Sequence, residues 1–78
     1  MIFLIEYDRT QGRIVTIREF ADAERQGAED ARIQREIELN HLGKEREVVL
    51  LEAASEEALR RTHRRYFEHI TDLVNLPA

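Results

Sequence analysis

The sequence predicts an α+β domain of order ββαβα, in which a three-stranded sheet packs against two helices. Short runs of branched and aromatic residues, which are typical of strands, open the chain and recur after its midpoint. Segments rich in Ala, Glu, Gln and Arg, which favour helices, follow the second and third of these runs. The length of 78 residues fits a single domain over 1–78.

The first two strands form a predicted hairpin. Residues 2–7 are branched or aromatic, apart from one glutamate, and predict a buried strand. Residues 13–19 alternate apolar with polar side chains over part of their length, as edge strands do. The turn between them runs from Asp8 to Gly12, where glycine permits a positive φ.

After the hairpin, the sequence predicts a helix, a strand and a second helix. A helix is predicted from about residue 20 to 40, with Gly43 as its left-handed cap. Residues 47–52 form a nearly continuous apolar run, which predicts a buried strand. Ser55 is the predicted N-cap of a second helix that extends to about Val74.

The predicted topology follows from the connections. A crossover through the first helix makes strands two and three parallel. The most apolar strand, strand one, belongs in the centre and runs antiparallel to both neighbours. We therefore predict a mixed sheet of order 2-1-3 in a two-layer sandwich, with both helices on one face.

This arrangement leaves one apolar sheet face bare, and a contiguous apolar patch usually marks an interface. We predict that the chain self-associates as a homodimer through this open face, or through an edge of the sheet. The alternatives are that the C-terminal tail covers this face or that the sheet stays partly exposed. Two isoleucines of the first helix either pack at the rim of the core or contact a partner. The predicted interface residues are Ile2, Leu4, Ile14, Val48 and Leu50, with Ile33 and Ile37 from the helix.

The second helix carries four arginines: Arg60, Arg61, Arg64 and Arg65. This arginine face has two interpretations. Phosphates of a nucleic acid, or an acidic protein partner, would suit it. A solvated surface braced by ion pairs with neighbouring glutamates is the simpler interpretation. The net charge of −4 weighs against nucleic acid, which usually requires a basic excess.

Titratable residues give little sign of chemistry. The chain has no cysteine, which excludes thiolate metal sites and disulfides. The histidines His41, His63 and His69 do not share ligand spacing, so no metal or other cofactor is expected. Glu6 is the best acid–base candidate, because apolar neighbours would raise its pKa. The alternatives are a glutamate at a strand end reaching solvent, or one paired with an arginine across a dimer interface.

The function predicted from these features is a small non-enzymatic interaction or structural module that self-associates through its open sheet face. The alternative is a nucleic-acid or phosphate-binding module that uses the arginine face. A small enzyme with Glu6 in a pocket between subunits is a third possibility. The apolar run at the N-terminus is too short for a membrane span, so a cytoplasmic location without membrane contact is expected.

Overall fold

The computed structural model describes residues 1–67, so the expected end of the second helix near residue 74 and the C-terminal tail lie outside the described part. Three strands and three helices appear in the predicted order, with the second predicted helix divided in two. A single 3-10 turn, Asp22–Glu24, precedes the first helix. The elements are β1 (Ile2–Asp8), β2 (Arg13–Phe20), α1 (Arg25–Leu42), β3 (Glu47–Glu52), α2 (Glu56–Thr62) and α3 (Arg64–Phe67).

The sheet has the predicted order, β2-β1-β3, with the most apolar strand in the centre. β1 runs antiparallel to both neighbours, so that Leu4 lies opposite Arg18 on one side and Leu50 on the other. Every hydrogen-bonded strand pair among residues 1–67 is antiparallel. The predicted mixed sheet is therefore wrong, because β2 and β3 are separated by β1 and never pair with each other.

The hairpin turn between β1 and β2 forms as predicted. The carboxylate Oδ1 of Asp8 accepts hydrogen bonds from the backbone N–H groups of Thr10 at 2.9 Å and Gln11 at 3.0 Å. The N–H of Gly12 donates to the carbonyl of Asp8 at 2.8 Å, with a φ of 67° at the glycine. Glycine takes this left-handed conformation without steric cost, which lets the chain return directly into β2.

A break in register interrupts the pairing of β1 with β2. Glu6 lies opposite Thr16, but Tyr7 lies opposite Ile14, so Val15 has no partner on β1. Extra residues of this kind bend a strand and reverse the side-chain alternation beyond them. Ile14 consequently packs with Tyr7 and Phe3 on the face opposite Leu4. Its predicted place on the open face, beside Leu4, is wrong for this reason.

The helices lie on opposite faces of the sheet. On one face Phe3 and Ile5 pack with Leu59 of α2 and Tyr66 of α3. On the other face Leu4 and Val48 pack with Leu39 of α1. The predicted two-layer sandwich with both helices on one face is therefore wrong. β1 is apolar on both faces, and a strand of that kind is stable only where both faces are covered.

The helix ends follow local capping chemistry. Gly43 ends α1 with a φ of 65°, and its N–H donates to the carbonyl of Asn40 at 3.1 Å. Ser55 caps α2, its Oγ accepting from the N–H of Ala58 at 3.1 Å. The predicted second helix breaks at His63, whose φ of −124° and ψ of 51° are not helical. None of the helices within residues 1–67 has the length and apolar character needed to cross a membrane.

Candidate functional site

A buried charge cluster lies on the face of the sheet that α1 covers. Glu6, in the central strand, is only 2% exposed. Arg35 of α1 donates from Nε to Oε1 of Glu6 at 2.6 Å and from Nη2 to Oε2 at 3.3 Å. Arg46, just before β3, donates from Nη1 to the same Oε2. This carboxylate therefore joins the central strand to α1 and to the start of β3.

The two arginines determine the protonation of Glu6. Burial on its own raises the pKa of the Glu6 carboxyl, but the hydrogen bonds and charges of Arg35 and Arg46 outweigh burial and lower it. The raised pKa on which the acid–base interpretation of Glu6 depends is therefore not found, and its arginine partners belong to the same chain and not to a dimer partner. At neutral pH Glu6 is an anion with its oxygens already occupied, which makes it a poor proton acceptor.

An open cleft lies beside this cluster, between α1 and β2. α1 packs mainly on β1 and β3, so no helix of the described residues covers the β2 side of the same sheet face. The cavity there has a volume of about 630 Å³. Leu4, Ala31 and Val48 supply an apolar lining. Polar lining comes from Thr16 and Arg18 of β2 and from Gln34, Glu6, Arg35 and Glu38.

The two arginines that line the cleft, Arg35 and Arg18, differ in their interactions. Arg35 is shared between Glu6 and Glu38, donating from Nη1 to Oε2 of Glu38 at 3.0 Å. Arg18 is exposed, and its guanidinium lies 5.0 Å from the ring centroid of Phe20. Among residues 1–67, no carboxylate pairs with Arg18. Within the described part of the chain, Arg18 is thus a cation of the cleft whose hydrogen-bonding groups are open to a ligand.

The predicted interface residues are distributed over three environments. Ile2, Leu4 and Val48 are buried within the single chain, and Leu50 packs partly buried against Leu4 and Val48. Ile14 lies on the opposite face of the sheet. Ile33 and Ile37 of α1 are 46% and 48% exposed. The broad bare face is absent from the described chain, because α1 covers most of it, and the cleft is what remains open.

The arginine face is braced by glutamates. Arg60 pairs with Glu56 at 3.3 Å and Arg61 with Glu57 at 2.6 Å, each one helical turn away. Arg65 donates from Nη2 to Oε2 of Glu47 at 2.8 Å and also to the hydroxyl of Tyr66 at 3.2 Å. Arg64 also has an interaction of its own. The break at His63 separates the four arginines into two pairs on different helices.

The histidines are not brought together in the part of the chain that is described. His41 lies in the last turn of α1. The Nδ1 of His63 lies 2.9 Å from the hydroxyl of its neighbour Thr62. His69 lies outside residues 1–67. Within those residues no three His, Asp or Glu side chains converge to hold a metal ion.

The sequence alone does not identify Arg35 and Arg46 as the partners of Glu6, although it indicates that Glu6 needs a cationic partner. A lone glutamate inside an apolar central strand requires a cation, because an unpaired buried carboxylate is very costly. The chain offers many arginines, and their separations of 29 and 40 residues from Glu6 give no local clue to the right two. No protein-family model matches the chain, and comparisons with curated proteins and with solved structures find none that matches it.

Proposed function

We propose that this chain is a non-enzymatic interaction module whose binding surface is the cleft between α1 and β2. The observation that carries the proposal is the cleft itself, a cavity of about 630 Å³ with an apolar lining and a few polar groups. Pockets that hold small molecules typically have volumes of about 300–1,000 Å³ and this mixture of linings. The cleft is also the part of the predicted open sheet face that the described residues, 1–67, leave uncovered.

The state of Glu6 supports binding rather than proton transfer. A general base works best with a pKa near the operating pH and with an oxygen free to accept the proton. Glu6 has a lowered pKa, and both of its oxygens accept hydrogen bonds from arginine. The cluster therefore acts as a brace that holds α1 at a fixed position over β1, and that position sets the width of the cleft.

The proposal is tested with an uncharged apolar probe. Titration of ¹⁵N-labelled protein with 1-octanol, followed by amide chemical shifts, should give saturable shifts that cluster at Thr16, Arg18, Ala31 and Gln34. Gln34 is exposed at the edge of the cleft, so Gln34→Trp should obstruct it with little effect on folding. Gln26→Trp is the matched control, because Gln26 is an exposed glutamine of the same helix that does not line the cleft.

Octanol shifts that are abolished by Gln34→Trp and retained by Gln26→Trp would support the cleft as the binding surface. Shifts that never saturate, or that map to another part of the surface, would refute it. Thermal unfolding of both variants shows whether each remains folded, so that a lost signal is attributable to obstruction of the cleft.

Self-association is a second candidate function, and the exposure of two isoleucines favours it. Ile33 and Ile37 lie one helical turn apart and are each nearly half exposed, in a position where a second copy of α1 would bury them. A two-fold axis between them would place each against the other residue of the partner helix. Sedimentation velocity should then show a dimer that Ile33→Lys combined with Ile37→Lys dissociates. A wild-type monomer at several hundred micromolar would rule this out.

A further inference from the structure

We infer that the ligand of the cleft is an amphipathic anion, a molecule with an apolar chain and one terminal carboxylate. This inference rests on the proposed function and specifies the chemistry of its ligand. Three features of the cleft lead to it: an arginine that has no carboxylate partner among the described residues, two glutamates that are paired with arginines, and an apolar lining next to both.

Arg18 is the group that would receive the carboxylate. Its position in β2, opposite Leu4 in β1, places it beside the apolar part of the cleft. Its guanidinium contacts the ring of Phe20, which leaves the N–H groups available. Arginine binds a carboxylate through two parallel charge-assisted hydrogen bonds, a geometry that lysine cannot reproduce. Of the residues described, Arg18 is the cation in the cleft lining that has no carboxylate partner.

The glutamates of the cleft differ from Arg18, because each already has an arginine partner. Glu6 accepts hydrogen bonds from Arg35 and Arg46, and Glu38 accepts one from Arg35. A bound ammonium would have to compete with these guanidinium groups at Glu6, and at Glu38 it would approach a carboxylate whose charge Arg35 already offsets. The cleft lining contains Arg18, Arg35, Glu6 and Glu38, and Arg46 pairs with Glu6. These three arginines and two glutamates give the site a net positive charge, which favours an anionic ligand.

The apolar lining would receive the chain of the ligand. Leu4 is 6% exposed and Val48 9%, and Ala31 faces them from α1 with a side chain too small to fill the space. An alkyl chain lying against these three side chains would be removed from water, while its carboxylate stayed at the β2 side with Arg18. A ligand with no apolar part would leave this lining without a contact.

Three probes of equal chain length test the inference: octanoate, octylamine and 1-octanol, each titrated at pH 7 and low salt and followed by amide shifts. Octanoate should bind about tenfold more tightly than octylamine, since a charge-assisted hydrogen bond is worth about that factor. Arg18→Glu should remove this preference, and the octanol titration of the same variant shows whether the cleft still binds an apolar chain. Arg13→Glu is the matched control, an exposed arginine of the same strand outside the cleft lining, and should preserve the preference.

The outcomes separate the inference from the function on which it rests. If octanol binds in the cleft but octanoate is no tighter than octylamine, the anion inference is wrong and the binding function stands. The anion inference is equally wrong if Arg13→Glu weakens octanoate binding as much as Arg18→Glu does. If none of the three probes binds in the cleft, both the inference and the proposed function are refuted.

Discussion

Arg35 donates from two nitrogens of one guanidinium to both oxygens of Glu6, with Nε 2.6 Å from Oε1 and Nη2 3.3 Å from Oε2. This two-point contact joins the middle of α1 to the middle of the sheet. A two-point contact restricts rotation as well as distance, so it fixes how α1 lies across the strands. The width of the cleft beside it depends on that orientation.

The contribution of the Arg35–Glu6 pair to stability can be measured against that of the Arg32–Glu36 pair on the same helix. The side chains of Arg35 and Arg32 are 34% and 35% exposed, so the two arginines are similarly placed. The side chains of their partners differ, because that of Glu6 is 3% exposed and that of Glu36 is 47% exposed. Arg35→Gln should lower the free energy of unfolding by about 1–3 kcal/mol, since it weakens the pairing of a buried charge. Arg32→Gln should cost less than about 0.5 kcal/mol. Equal losses in urea unfolding would show that Glu6 is not specifically held.

The lowered pKa of Glu6 predicts a loss of stability in acid. A carboxyl with a folded-state pKa below its ordinary value of 4.5 stabilises the fold fully above that value. Its contribution is lost as the pH falls below 4.5 and through the lowered folded pKa. Urea unfolding between pH 7 and pH 2.5 should therefore show a steep acid decline in wild type.

Glu6→Gln isolates that contribution. Gln cannot titrate, so this variant should have a lower stability at pH 7 and a flatter decline below pH 4.5. Asp22, whose pKa is lowered by a hydrogen bond from the N-terminal ammonium and by its charge, remains in both proteins and cancels in the comparison. Parallel curves for the two proteins over this pH range would contradict the paired state of Glu6.

Two glycines of the α1 region should respond oppositely to alanine. Gly43 has a φ of 65°, a conformation that costs an alanine about 1 kcal/mol, so Gly43→Ala should destabilise the chain. Gly27 lies in the first turn of α1, and a Cβ added there meets nothing within 4 Å. Gly27→Ala should stabilise by about 0.5 kcal/mol. Thermal unfolding of both variants checks this, and shifts of the same sign would contradict it.

The cap of α2 gives a further test of the local structure. Ser55→Ala removes the hydrogen bond from the N–H of Ala58 and should cost about 1 kcal/mol. Ser55→Asp keeps an acceptor at the N-terminus of the helix and should restore most of that loss. Chemical denaturation distinguishes the two variants. An unaffected Ser55→Ala protein would mean that the cap does not stabilise α2.

Much of the fold is predictable from the sequence because local signals encode it. The run of residues 47–52 matches β3 to the residue, and Gly12 and Gly43 mark the turn and the helix end where the sequence predicts them. The order β2-β1-β3 follows from the apolar content of β1, which makes it the central strand. These features depend on the residue types within each segment, and a single sequence shows them directly.

The placement of the helices is not predictable in the same way, because either face of β1 could receive either helix. Ile2, Phe3, Leu4 and Ile5 are all buried, a continuous pattern that indicates cover on both faces. The sequence contains that signal, but it does not distinguish a helix of the same chain from a partner subunit as the second cover. The displaced pairing at Val15, and hence the face on which Ile14 lies, has no sequence signature in this chain.

The candidate site is predictable only in part. Strand alternation places Leu4, Glu6, Arg18 and Val48 on one sheet face, and they do line the cleft together. The α1 side of the cleft and the two arginines on Glu6 depend on contacts across 29 and 40 residues, for which the sequence contains no pairing information. Pairing of Glu6 with an arginine is one of the alternatives that the sequence leaves open, but the sequence does not show that the two arginines come from the same chain or that they lower its pKa.

The central claim, that the cleft between α1 and β2 is the binding surface, is tested most directly by intermolecular nuclear Overhauser effects. The methyl group and chain protons of bound octanoate should give effects to the side chains of Leu4, Ala31 and Val48, which lie in the apolar lining. Effects to Ile33 and Ile37 on α1, in place of these three, would place the ligand outside the cleft and contradict the account.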